Sequence, residues 1–137
     1  MSAAVQPQSK VFQALCQESL RQLVTDTAGV ENACLVTGDG LEVAAVLAQN
    51  VSASRLGAMT SSIHALGGAI TKELKMKECR SVIVDGENGS LVMVQLPTTR
   101  MELVLAVTCS QRATLGSALL AARQHARWIS EKLSATA

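Results

Sequence analysis

The sequence predicts an α/β (α+β) three-layer sandwich, in which three helices cover both faces of a five-stranded antiparallel sheet. Three stretches carry apolar residues at the spacing of a helix, and five shorter apolar runs are typical of strands. Two clusters of turn residues join consecutive strands, so the order of elements is α-β-β-α-β-β-β-α. The chain has 137 residues, which fits one domain. We expect that domain over residues 9–134, after a leader at 1–8 and before a tail at 135–137.

The first helix and a hairpin account for the first third of the domain. Apolar residues recur every three or four positions from Phe12 to Leu23, and Gly29 is placed to end this helix. Strand-like runs at 30–37 and 41–47 flank Gly38-Asp39-Gly40. Gly and Asp tolerate the positive φ angles of tight turns, so this tripeptide predicts a hairpin.

The remaining elements are one long helix, three strands and a final helix. Residues 50–54 supply capping side chains for a second helix from 53 to about 77. The strands are expected at 79–85, 90–96 and 101–109, and the last helix after Ser110. The last two strands are nearly continuous apolar runs, which predicts that helices cover them on both faces.

Composition excludes several classes of function. Phe12 and Trp128 are the two aromatic residues of the chain, so stacking platforms for single-stranded nucleic acid are not available. The net charge of +1 creates no strong field for phosphate backbones or anionic lipid. The sequence therefore predicts no nucleic-acid or membrane partner. A sensory module that binds a small ligand stays an alternative, although such pockets are usually rich in aromatic groups.

The cysteines predict a reduced, cytoplasmic protein. The four cysteines are far apart and show no metal-ligand spacing with histidine, so we expect buried free thiols and neither metal nor other cofactor. They are Cys16, Cys34, Cys79 and Cys109. The first ten residues lack the apolar core of a secretory signal, and no apolar stretch is long enough for a transmembrane helix.

No catalytic arrangement is recognisable. His64 and His125 lie on separate predicted helices, and we expect no nucleophilic serine or cysteine within reach of either. Asp85 and Glu87 belong to a turn, where carboxylates are usually solvated. The sequence therefore predicts a protein that is not an enzyme.

The second helix has an unusual lack of charge. Between Val43 and Thr71 the only formally charged residue is Arg55. One stripe of large side chains is predicted to face the sheet of the same chain. It comprises Leu56, Met59, Ile63, Leu66, Ile70 and Leu74.

The other sides of this helix carry small residues. A second stripe comprises Ala58, Ser62, Ala65 and Ala69, and a third side holds Gly57, Ser61, Gly68 and Thr71 around His64. The Gly67-Gly68 pair is costly in a helix unless another backbone approaches closely. One interpretation is a core helix wrapped by its own chain, but no segment is left to wrap it. We favour a contact with a second copy about a two-fold axis, with His64 on that outer side.

Several segments together resemble the Roadblock/dynein-light-chain domain family. Residues 20–46, LRQLVTDTAGVENACLVTGDGLEVAAV, are similar to the helix end and first hairpin of that family. SVIVDGENGSLVMVQL, ELVLAV and the pair Leu115-Gly116 agree with its later elements. The resemblance implies a profilin-like sheet with the second helix on one face and the other two on the opposite face.

The resemblance also implies a homodimer in which second helices pack together and third strands pair edge to edge. The interface residues it implies are Ala58, Ser61, Ser62, Ala65, Gly68, Ala69, Ser81, Val82, Ile83 and Val84. The implied function is a non-enzymatic regulator or scaffold of a small Ras-like GTPase, acting as activator or adaptor. A structural adaptor in a motor or signalling assembly is the alternative. An activator could insert an arginine, for which Arg100 is the most loop-like, or shift the GTPase between conformations; we favour the second.

Overall fold

The computed structural model describes residues 9–97 and 101–135, and it has the predicted order of elements. The helices are α1 (Lys10–Asp26), α2 (Ala53–Glu73) and α3 (Leu115–Ala135). The strands are β1 (Val30–Thr37), β2 (Glu42–Val46), β3 (Ser81–Gly86), β4 (Gly89–Gln95) and β5 (Leu103–Ser110). The predicted leader at 1–8, the last two residues of the predicted tail and Arg100 lie outside the described residues.

Two helix ends differ from the sequence prediction. The second helix stops at Glu73, and the following Lys75 and Lys77 have φ angles of 57° and 69°. These left-handed conformations cannot continue a right-handed helix. The last helix begins at Leu115 because Ser110 still belongs to β5, where it lies opposite Gly89.

The five strands form one antiparallel sheet in the order β2-β1-β5-β4-β3. The two central neighbours of β5 are β1 and β4, and β2 and β3 form the edges. Residues of β5 alternate between two cores. Leu103, Leu105 and Val107 pack with α1 and α3, whereas Val104 packs with the residues beneath α2. The prediction that helices cover both faces of the inner strands is therefore confirmed.

The two cores differ in size, and this asymmetry determines which helix surface stays open. The larger core lies between the sheet and the pair α1 and α3, and it contains Phe12, Leu20 and Ile129. The smaller core lies under α2 and contains Cys34, Val36, Leu56, Met93 and Val104. In the described part of the chain, the outer side of this single helix and the neighbouring edge strand β3 are not covered by another element.

Candidate subunit interface

Small residues hold α2 close to its own sheet. Ser52 caps the helix by accepting a hydrogen bond from the amide of Arg55 at 3.3 Å. Gly57 lies against the first hairpin, where an added Cβ would stand 2.6 Å from the carbonyl oxygen of Gly40. One turn later, the Ser61 hydroxyl donates to the Gly38 carbonyl at 2.5 Å. The glycine-rich turn and the helix therefore approach backbone to backbone.

Of the two adjacent glycines Gly67 and Gly68, it is Gly67 that lies close to another part of the described chain. A Cβ on Gly67 would stand 2.8 Å from Cys79 Sγ and 3.1 Å from a methyl group of Val82. A Cβ on Gly68 would have no neighbour within 4 Å among the described residues. A close approach thus occurs at Gly67, near the start of β3, but it is made by side chains and not by the backbone that the sequence predicted.

The large side chains of α2 do not form the predicted stripe against the sheet. Leu56 is buried and Ile63 is half-buried, but Met59, Leu66 and Ile70 are 57%, 65% and 55% exposed. Leu74 is exposed as well. The buried positions are Leu56, Gly57, Thr60 and Gly67. The prediction was wrong because the hairpin turn and β3 come too close to the helix to accept large side chains.

The outer surface of α2 therefore contains residues of both predicted stripes, the small residues and the large apolar ones. Its small members and its large apolar members are exposed side by side, with no charged residue between Arg55 and Lys72. We call this surface the α2 face, and it consists of Ala58, Met59, Ser62, Ala65, Leu66, Ala69 and Ile70. Ser61 and Gly68 are half-buried on the flank of the helix nearer the hairpin. An exposed apolar surface of this kind commonly marks a protein contact.

Strand β3 provides a second open feature beside the α2 face. It is an edge strand whose described pairing is with β4 alone. Ile83 and Val84 are 40% and 47% exposed. Ser81 and Val82 are half-buried, with Val82 packed into the core beneath α2 and Ser81 accepting a bond from Arg123 at 3.3 Å. An apolar edge strand is open to pairing with another strand.

His64 lies on the inner side of α2, so its predicted outer position is wrong. Its side chain is 11% exposed, and its Nε2 is 3.4 Å from Glu102 Oε2 at the start of β5. Its Nδ1 is buried and has no hydrogen-bond partner within the described part of the chain. The sequence alone did not indicate Glu102 as a neighbour of His64, because the two are far apart in the chain and meet only when β5 packs under the helix.

A second histidine corrects the expectation that no serine lies near a base. Ser19 Oγ of α1 and His125 Nδ1 of α3 are 2.9 Å apart, since these two helices pack side by side. Burial lowers the pKa of His125, and the charge of Asp26 acts in the opposite direction. Ser19 is itself buried in the middle of a helix. The helix uses the nearby backbone amides, so none is available to stabilise an oxyanion.

The cysteines are free thiols, and most of them are shielded. Cys16, Cys34 and Cys109 are buried, whereas Cys79 is partly exposed. Burial raises the pKa of Cys16 and of Cys34 to about 12. It also raises the pKa of Cys109. These three thiols stay protonated at neutral pH and are poor nucleophiles and metal ligands.

No group of three or more His, Cys, Asp or Glu residues is placed to hold a metal ion within residues 9–97 and 101–135. Among the helices described, none has both the length and the apolar character needed to span a bilayer.

Comparison with known proteins identifies the fold and its relatives. The sequence model of the Roadblock/LC7 domain matches residues 16–108. An uncharacterized protein of Methanocaldococcus jannaschii is 30% identical over 90 residues, which cover 66% of this chain and 73% of that protein.

Among solved structures, the MglB protein of Myxococcus xanthus superposes with a TM-score of 0.84 at 19% identity, over 94% of each chain. A Roadblock/LC7 domain from Streptomyces avermitilis gives 0.78 at 18% identity, over 86% of this chain and 97% of that one. Profilin II of Acanthamoeba castellanii gives 0.62 at 16% identity, over 85% and 97% of the two chains. The expected profilin-like arrangement is confirmed.

Proposed function

The chain belongs to the Roadblock/LC7 domain family, and from this membership we propose that it is a homodimeric regulator or scaffold of a small Ras-like GTPase. In this role it has no active site of its own and works in the cytoplasm, where thiols stay reduced. The observation that carries the proposal is the uncharged, apolar α2 face beside an open edge strand. A surface of this kind fits protein partners better than small molecules.

The proposed dimer joins two copies through the α2 face and β3. Small side chains at Ala58, Ala65 and Ala69 allow two helices to approach closely. Met59 and Leu66 add large exposed side chains that a facing helix would bury. Pairing of two β3 strands about the same two-fold axis would continue the sheet across both subunits and remove the open edges.

We propose that the dimer acts on its GTPase by stabilising one conformation of the switch regions. A dimer offers a broad composite surface that neither subunit has alone, and differential binding to two conformations is sufficient to shift their populations. Arg112 and Arg127 are exposed but belong to a turn and to a helix, respectively. Neither is on a long loop that could enter a nucleotide site, whereas Arg80 lies in the connection before β3 and Arg100 lies outside the described residues. We therefore propose conformational control from the broad composite surface of the dimer and not from the positions of the arginines.

The experiment that tests this function uses purified small Ras-like GTPases from the genome that encodes the chain. Each GTPase is loaded with GDP or with a non-hydrolysable GTP analogue and passed over the immobilised full chain. We expect one GTPase to be retained in a nucleotide-dependent way, because a regulator of switch regions must distinguish the two states. Phosphate release from GTP then shows whether retention is accompanied by activation.

The control variant carries glutamate at a position of the α2 face. Ala65→Glu should abolish retention together with dimer formation, whereas Ala14→Glu, on the exposed side of α1, should preserve both. Failure of every GTPase to bind in either nucleotide state would contradict the proposal and favour an adaptor that acts without a GTPase.

A further inference from the structure

The face of β3 that looks away from α2 is also open. Ile83 lies opposite Val92 in the antiparallel pair, and Val92 belongs to the core under α1 and α3. Cross-strand neighbours share a face of the sheet, so Ile83 points to the α3 side. It remains 40% exposed there because α3 covers β4 and leaves β3 beyond its flank. A trough thus runs between α3 and the edge strand.

Helix α3 provides the wall of this trough. Arg123 donates to the Ser81 hydroxyl of β3 at 3.3 Å, which identifies the flank of α3 that faces the strand. Leu119 and Arg127 follow at helical spacing on the same flank. Leu119 is half-buried against the core, and a Cβ on Gly116 would meet no atom of the described chain within 4 Å. This end of the trough is therefore apolar and open.

The other end of the trough is basic. Arg80, Arg123 and Arg127 line one cavity of about 590 Å³, whose floor is formed by buried apolar residues of β4 and α3. Glu78 and Glu102 also line it. Within the described chain no carboxylate oxygen lies within 4 Å of any of the three guanidinium groups. None of the three arginines thus has an ion-pair partner among the described residues, although the concave site they share also contains these two carboxylates.

We propose that this trough binds an acidic, apolar segment of a partner protein. Arginine forks bind carboxylates through paired, charge-assisted hydrogen bonds, and clusters of arginine are a recurring means of recognising acidic motifs. The exposed Ile83 and the open space at Gly116, one turn before Leu119, are where an aliphatic side chain of the same segment would bind. The combination of three guanidinium groups with an apolar floor selects a peptide over a simple anion.

This second docking surface goes beyond the proposed GTPase function and does not depend on it. The trough lies on the face of the sheet opposite α2, so a segment bound there leaves the α2 face free. In the proposed dimer the two β3 strands would be neighbours, and the two troughs would lie side by side about the two-fold axis. The chain could then hold an acidic partner on one face and a GTPase on the other.

The test uses two fluorescein-labelled synthetic peptides of equal length, one repeating Leu-Glu-Glu and one repeating Leu-Lys-Lys. Fluorescence anisotropy measures the binding of each to the full-length chain at constant ionic strength. We expect the acidic peptide to bind with a Kd at least about tenfold lower than the basic one. We also expect the double variant Arg123→Glu and Arg127→Glu to raise that Kd by about tenfold or more.

Two controls keep the result specific. The double variant Arg21→Glu and Arg112→Glu has the same net charge with both changes outside the cavity lining, and it should bind as the wild type does. The mass in solution of all variants should be unchanged, since the changed side chains lie outside the α2 face and edge pairing of β3 uses its backbone groups.

Equal affinity for the two peptides would overturn the proposal, as would binding that the Arg123 and Arg127 changes leave intact. Binding of phosphatidylserine vesicles without binding of the acidic peptide would overturn it in favour of a lipid surface.

Discussion

At the scale of single residues, Gly57 shows how the glycines of α2 position the helix. An added Cβ would stand 2.6 Å from the backbone oxygen of Gly40, which cannot rotate away as a side chain could. We expect Gly57→Ala to lower the free energy of unfolding by about 1–3 kcal/mol, measured by chemical denaturation. Gly116→Ala, where the new Cβ would be in open space, should be neutral or stabilise by up to about 1 kcal/mol. Equal effects of the two changes would contradict the contact.

Thr60 presents the opposite case, a buried group whose removal should help. Its side chain is fully buried, and its hydroxyl has no hydrogen-bond partner in the described part of the chain. Thr60→Val keeps the shape and removes the unpaired oxygen, so we expect the free energy of unfolding to rise by about 1 kcal/mol. The same change at the exposed Thr25 should shift it by less than about 0.5 kcal/mol. A destabilising Thr60→Val would show that the hydroxyl has a partner.

At the scale of elements, His125 links α1 and α3 and makes their packing sensitive to pH. Burial lowers the pKa of His125 below its ordinary value of 6.5, so the unfolded chain takes up the proton first as the pH falls. The free energy of unfolding should therefore keep its full value above about pH 7, as far as His125 determines it, and should fall as the pH drops below about 6.5. Uptake of this one proton lowers the free energy of unfolding by at most about 1.4 kcal/mol per pH unit.

The measurement is the free energy of unfolding as a function of pH for the wild type, His125→Gln and Ser19→Ala. We expect His125→Gln to reduce the dependence on pH in this range. Ser19→Ala should keep most of it, because burial is the larger cause of the shift and the serine supplies only the hydrogen bond. An unchanged dependence in His125→Gln would assign the effect to other groups.

The sequence could predict the elements, but not which side of α2 packs inward. Periodicity separates faces of a helix without saying which one meets the sheet, and large side chains such as Leu66 usually belong inside. Here the inward face consists of Gly57, Thr60 and Gly67 because a turn and a strand approach the helix closely. The contact between Ser19 and His125 was likewise beyond prediction, since 106 residues separate them.

At the scale of the whole molecule, the strand order explains why the chain has two distinct open surfaces. Strand β3 lies at the edge, one helix covers one face and two helices cover the other. The exposed positions of β3 therefore open toward both faces: Val84 beside α2, and Ile83 beside α3. The hairpins and the resemblance to a known family made the arrangement predictable. The trough with its arginines was not, because Arg80 and Arg123 are brought together only by folding.

Sedimentation equilibrium at micromolar concentration determines whether the α2 face joins two subunits. The wild type should have twice the chain mass of 14.3 kDa. Ala65→Glu, which would bury a charge at the helix contact, should have the mass of one chain, and Ala14→Glu on α1 should keep that of the dimer. A wild type that sediments as a monomer, or a dimer that survives Ala65→Glu, would contradict the claim.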